Sequence, residues 1–264
     1  MSNARRFGGA GIRRGIRSGG GGLPQIALAY DWQAGAGVAD DGSGPPPGVD
    51  TWTDQEAGLA LADAIGKPDL IAADSDFGAL ESVAFGTGGT EILRDSAPNV
   101  ALAFLHSGAG MTMLLDLFVE TTQSGTGTFV ETNNSSSTGL GMMLRYEATG
   151  SVARLLVGNG SSNVIDLSGA ISKGARHRLM VRFSSTAFDS DSDSRVADMW
   201  VDGTRVASQA TVSNAAAGGA ALDKLAIGNR STSANTQLDG KIRRVSLASA
   251  IATAAQWDLW RATA

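Results

Sequence analysis

Apolar and polar positions alternate at a period of two over most of the chain beyond residue 80. Glu81–Thr87, Val100–Ser107, Gly110–Thr121, Gly127–Thr132, Leu140–Ala148, Val152–Gly158, Asn163–Ser168, Arg176–Ser185, Val196–Gly203, Thr204–Thr211, Lys224–Asn229 and Gly240–Ala248 each read as a short strand, bounded by Gly, Asn, Ser or Asp clusters. Strands this close together, with no long helical pattern between them, predict a sandwich or jelly roll. Two segments carry helical signals. Thr53–Gly66 offers a capping box from Thr53 to Glu56, weakened by Gly58 and Gly66. Thr253–Thr263 places Ala254, Trp257 and Trp260 on one face, which predicts a short terminal helix docked on the sandwich.

Ahead of these lies a different kind of sequence. MSNARRFGGAGIRRGIRSGGGG has arginines, glycines and no acid, and cannot build a core. We read residues 1–24 as an extended arm and residues 25–264 as the sandwich. The arm holds Arg5, Arg6, Arg13, Arg14 and Arg17, hence +5; the whole chain is −5, so the remainder carries −10. That acidic body argues against nucleic-acid binding, where phosphate contacts dominate. Phe7, Ile12 and Ile16 are too few for a membrane-surface segment. No apolar run approaches the roughly 18 residues of a membrane span, and no signal-peptide core follows the arginines. We expect the arm to anchor the protein, with Phe7, Ile12 and Ile16 filling partner pockets and the five arginines pairing with acidic walls.

The closing stretch LAIGNRSTSANTQLDGKIRRVSLASAIATAAQWDLW, the strand pair RHRLMVRF and MWVDGTRVA, and the opening segments YDWQAGAGV, VDTWTDQEAG, GKPDLIA and ESVAFGTGG occur in this order. Together they resemble laminin-G/concanavalin A-like lectin-glucanase domains. The resemblance implies an all-β, concanavalin A-like jelly-roll sandwich over residues 25–264. It does not imply one activity, since the fold serves lectins, glycanases, adhesion modules and virion parts. The residues themselves support it at Val201-Asp202-Gly203-Thr204, where Asp-Gly supplies the positive φ values of a tight hairpin; Asp239-Gly240 reads as a second such turn.

Candidate chemistry is sparse. The paired carboxylates of retaining glycanases would sit about 5 Å apart on one strand face, and Glu81, Glu91, Glu120, Glu131 and Glu147 have no partner at that spacing. His106 and His177 are the two neutral-pH bases, and both read as structural or surface residues. There is no cysteine, so no thiolate metal site. Asp189, Asp191 and Asp193 alternate like the first half of a calcium loop, but Ser194 replaces the required glycine and Trp200 the bidentate Glu. Domains of that kind often hold calcium through loop Asp residues, so the resemblance leaves calcium as one reading beside a solvated acidic loop between two strands; no cofactor is expected. For a glycan, Trp32 and Tyr146 read as exposed stacking platforms, with Trp257 and Trp260 assigned to the core.

These readings converge on one expectation: a non-catalytic virion structural protein of a phage or phage-like particle, present in several copies, fixed to capsid or tail by its arm. Two alternatives stand beside it: a fibre or spike component adhering to host glycans, and a free carbohydrate-binding or polysaccharide-degrading protein.

Overall fold

A computed structural model describes residues 25–63, 66–86, 90–133, 138–189, 194–230 and 236–264. The arm, with Arg5, Arg6, Phe7, Ile12, Arg13, Arg14, Ile16 and Arg17, lies outside the described residues, as do Asp191 and Asp193.

The strands are β1 Tyr30–Gln33, β2 Val38–Asp40, β3 Val49–Thr53, β4 Ala60–Asp63, β5 Asp69–Asp74, β6 Leu80–Phe85, β7 Leu93–Arg94, β8 Met111–Val119, β9 Gly127–Glu131, β10 Gly141–Glu147, β11 Val152–Gly158, β12 Asn163–Ala170, β13 Ala175–Asp189, β14 Ser194–Val201, β15 Thr204–Gln209, β16 Ala226–Ile227 and β17 Gly240–Ala248, followed by helix α1 Ala254–Thr263. They form two antiparallel sheets packed face to face. The first runs β15-β14-β13-β8-β17-β6-β5, with β1 also paired to β17; the second runs β12-β11-β10-β9-β16-β7-β4-β3-β2. The expected all-β sandwich with a short C-terminal helix is the observed architecture.

Period-two alternation places one side of each strand between the sheets. Met113, Leu115 and Leu117 of β8, with Leu179, Val181 and Phe183 of β13, meet Leu144 and Tyr146 of β10 and Leu155 and Val157 of β11 in the core. Strand β8 is buried at all nine positions because its other face is covered too. There Leu114 and Met180 pack under Trp257 and Trp260 of α1. The helix starts at a capping box: the Gln256 N–H donates to Thr253 Oγ1 at 3.2 Å, and the Thr253 N–H donates back to Gln256 Oε1 at 2.9 Å. Trp260 also donates from Nε1 to Ser246 Oγ at 3.0 Å, so its one polar atom is satisfied in a dry site.

Three local expectations are corrected. Thr53–Gly66 is not a helix: the Asp54 carboxylate accepts the N–H groups of Glu56, Ala57 and Leu59 at 2.8, 2.9 and 2.6 Å, which closes a turn, and the chain then enters β4. Val100–Leu105 is a 3-10 helix rather than a strand. Asn99 caps it by accepting from the Ala101 N–H at 2.9 Å, and Leu102 and Leu105, three residues apart, share its buried side. Asp202 and Gly203, at φ 51° and 95°, do form the expected two-residue hairpin turn. Asp239-Gly240 does not. Gly240 begins β17, and a Cβ there would lie 2.3 Å from the Phe118 carbonyl oxygen, so glycine serves close strand approach instead.

Candidate functional site

The two expected stacking platforms are interior. Trp32 and Tyr146 are both 0% exposed. Trp32 stacks on Tyr30 with ring centroids 5.6 Å apart, and Tyr146 points between the sheets with its hydroxyl 3.3 Å from Ser151 Oγ. Their alternation phase puts them on the core side of β1 and β10, so neither can meet a sugar ring. Asp189 ends β13 and its companions lie outside the described residues; among the described residues no three His, Cys, Asp or Glu side chains are gathered to hold a metal.

The surface instead offers an open cleft of about 440 Å³ where β5, β6, β8 and β17 end together. Asp69, Phe85, Gly86, Glu120, Thr122, Asp239 and Lys241 line it. Its polar groups are held by a dense local network. Thr122 Oγ1 donates to Asp239 Oδ2 at 2.5 Å, and the Asp239 N–H donates to Gln123 Oε1 at 2.5 Å. Behind Gly86, Glu91 Oε2 accepts the Gly86 N–H at 2.5 Å and the Gln237 amide at 3.0 Å. Burial pushes the Glu91 carboxyl above its ordinary value, helped by nearby Asp69 and Asp239 and opposed by those two hydrogen bonds. Burial, then Asp41, raises Asp69 likewise. Lys241 lies over the Phe118 ring, 5.4 Å from its centroid, and pairs with Asp76, with Asp74 at 3.3 Å and with Glu120 at 3.7 Å. Burial pulls its ammonium down, yet the bonds to Asp76 and Asp74 outweigh that and hold it above its ordinary value.

This lining suits hydroxyl-rich ligands. Carboxylates accept from sugar hydroxyls, and Thr122 Oγ1, its proton already donated to Asp239, accepts as well. Three carboxylates against one ammonium make the cleft acidic. Sequence reasoning missed it because its residues come from four strand ends spread over positions 69 to 241, with no local motif to mark them.

Neither histidine is at the cleft. His106 is fully buried, with Nε2 3.2 Å from the Gly219 carbonyl and Nδ1 without a partner among the described residues. His177 is 8% exposed and bonded on both sides, Nδ1 to Asp202 Oδ2 at 2.7 Å and Nε2 to Ser172 Oγ at 2.9 Å.

The chain matches no family model and no curated protein sequence. Its fold is shared with solved structures at low identity. A Trypanosoma rangeli sialidase in complex with the inhibitor DANA superposes with a TM-score of 0.57 at 12% identity, covering 89% of this chain and 32% of the sialidase. The same enzyme with 2,3-difluorosialic acid gives 0.53 at 14% identity over 87% and 32%. The binding domain of botulinum neurotoxin DC in complex with SialylT gives 0.55 at 9% identity over 80% and 48%. The chain thus spans about a third of the sialidases' length and about half of the toxin domain's. The expectation of a protein outside the enzymes is corrected here: solved structures sharing this sandwich include parts of enzymes, the Trypanosoma rangeli sialidases. What these likenesses establish is the fold alone, an antiparallel β-sandwich that also occurs in proteins solved with sialic acid analogues and with SialylT.

Proposed function

We propose that the sandwich binds glycans, and that the cleft between Asp69, Glu120, Thr122, Asp239 and Lys241 receives them. The observation that carries this reading is the cleft itself: carboxylates, a hydroxyl and an ammonium, fixed by neighbours, converge on one open concavity beside Phe85. The fold supports it, since the toxin domain that shares it is described as a binding domain in complex with a sialylated ligand.

The acidic lining favours neutral sugars over sialylated ones, because a ligand carboxylate would meet Asp69, Glu120 and Asp239 with one ammonium to offset them. Adhesion to a surface glycan is therefore the preferred role. Attachment to a virion through residues 1–24 is the second half of the proposal. It rests on the basic, glycine-rich sequence of that segment, with Phe7, Ile12 and Ile16 as its apolar contacts.

A glycan array followed by calorimetric titration tests the first half. The expected result is binding of neutral glycans that Asp239→Ala weakens at least about tenfold, the loss of one or two hydrogen bonds to a charged group. Binding untouched by Asp239→Ala would move the site elsewhere. Preference for sialylated over neutral glycans would overturn the charge argument. Removing residues 2–22 tests the second half: the truncated protein should fold and fail to join particles.

A further inference from the structure

We propose that Ser172, His177 and Asp202 form a nucleophilic site that hydrolyses unhindered carboxylic esters. It lies outside the cleft and does not rest on the glycan reading. The two ring nitrogens of His177 join the other two side chains. Asp202 Oδ1 accepts the Arg178 N–H at 2.8 Å, and Oδ2 lies 2.7 Å from His177 Nδ1. Burial acts to raise the Asp202 carboxyl, but the His177 contact and the Arg178 N–H outweigh it and keep it below its ordinary value. An ionised carboxylate only accepts, so Nδ1 must carry the ring proton. The neutral ring then presents a bare Nε2 at 2.9 Å from Ser172 Oγ, within reach for general-base activation.

The surroundings fit the two states this chemistry needs. The Ser172 carbonyl lies 3.1 Å from the same Nε2. It offers nothing to the neutral ring, but accepts an N–H once the ring has taken the serine proton, so the imidazolium would be held on both sides. His177 is buried while Ser172 stands exposed on the turn before β13, which gives an ester access to Oγ and keeps the base dry. The turn is pinned: the Ile171 N–H donates to the Ser151 carbonyl at 3.0 Å, the Gly174 N–H to the Val119 carbonyl at 2.8 Å, and Lys173 Nζ to the Gln123 carbonyl at 3.1 Å. The Lys173 N–H makes no backbone hydrogen bond among the described residues. It follows the nucleophile in the chain, the position from which acyl-transfer sites draw an oxyanion donor.

In the reaction, Ser172 Oγ adds to the acyl carbon as its proton passes to Nε2. The adduct expels the alcohol, which leaves with that proton. Water, deprotonated by the same nitrogen, then cleaves the acyl-serine, releasing the acid and restoring Ser172. The balance is ester plus water to acid plus alcohol. Ser172 is exposed, so the substrate class is an acyl group that projects from a larger molecule or a small activated ester.

The test uses the full chain with p-nitrophenyl acetate and a fluorophosphonate probe. The expected results are probe on the Ser172 peptide, and loss of both labelling and turnover in Ser172→Ala, by about a hundredfold or more. Asp202 is a positioning residue, and Asp202→Asn separates its role from a structural one. Asparagine tolerates the positive φ of this turn and still accepts the Arg178 N–H. Its amide N–H then faces Nδ1, so the ring proton moves to Nε2 and the base is lost. Turnover should fall as in Ser172→Ala with the thermal midpoint preserved. An unlabelled Ser172 in the folded wild type, or Ser172→Ala turning over at the wild-type rate, would overturn the proposal. A fallen midpoint with unchanged turnover in Asp202→Asn would reduce the trio to a structural hydrogen-bond network.

Discussion

The Arg182 guanidinium is wholly buried against the equally buried Asp198 carboxylate, with Nε donating to Oδ1 at 2.8 Å and Nη2 donating to Oδ2. The pair sits on the outer face of the first sheet, not in the core between the sheets. Trp200 donates from Nε1 to Asp198 at 3.0 Å, and the guanidinium lies over the Trp200 and Phe188 rings, 5.6 and 5.1 Å from their centroids. Arg182 also donates to the Ala252 carbonyl just ahead of α1, at 2.5 Å. One ion pair thus ties two strands to the approach of the terminal helix.

Because removing one member of a buried pair strands the other charge, Asp198→Ala should cost about 3–5 kcal/mol. Urea denaturation at neutral pH measures it. A loss under about 1 kcal/mol would mean that the guanidinium finds water or another acceptor.

Trp260→Ala should remove the main lid over Leu114 and Met180 and the hydrogen bond to Ser246. The expected destabilisation is about 3–5 kcal/mol. Amide exchange of α1, compared with that of β10 on the opposite sheet, would show whether the helix comes away alone.

Gly228 has φ of 84°, and a Cβ there would lie 2.1 Å from a Phe85 ring carbon. Gly228→Ala therefore adds left-handed backbone strain to a clash with a buried ring, roughly 3 kcal/mol together. Thermal unfolding should report it, and a midpoint equal to wild type would contradict the geometry. Phe85 also lines the cleft, so glycan binding should weaken in the same variant.

Burial holds the His106 imidazole below its ordinary pKa, with the hydrogen bond to the Gly219 carbonyl opposing only in part. The unfolded chain then takes up the proton at a higher pH than the folded one. Stability should be full above the unfolded value of about 6.5 and fall as pH drops below it, by at most about 1.4 kcal/mol per pH unit. Denaturation midpoints of wild type and His106→Gln between pH 8 and 5.5 check this: the wild type should lose more over that range. Equal slopes would mean that the ring is not the titrating group.

Sandwich class and the strands of the C-terminal two-thirds were legible because their alternation is strong and Asp202-Gly203 marks a hairpin turn. The helix at Trp257 and Trp260 was legible because two large residues at i, i+3 have no strand reading. Thr53–Gly66 misled because an acidic segment after a threonine resembles a helix start, while the Asp54 carboxylate in fact bonds the loop N–H groups of Glu56, Ala57 and Leu59. Val100–Leu105 misled because Leu102 and Leu105 suit either a strand end or one side of a 3-10 turn.

By itself, then, the sequence determined that the chain alternates, turns and buries enough to make two sheets, and that its first 22 residues are basic without a core. Those properties are local, set by residue type and spacing. Only the tertiary structure decided which face of each strand is inside, and so that Trp32 and Tyr146 are core. It alone gathered the ends of β5, β6, β8 and β17 into a cleft, and brought Ser172 and Asp202, 30 residues apart in number, onto the two nitrogens of His177. Strand register and pairing partner govern those outcomes, and both are settled by long-range packing between segments that carry no record of each other in their own sequence.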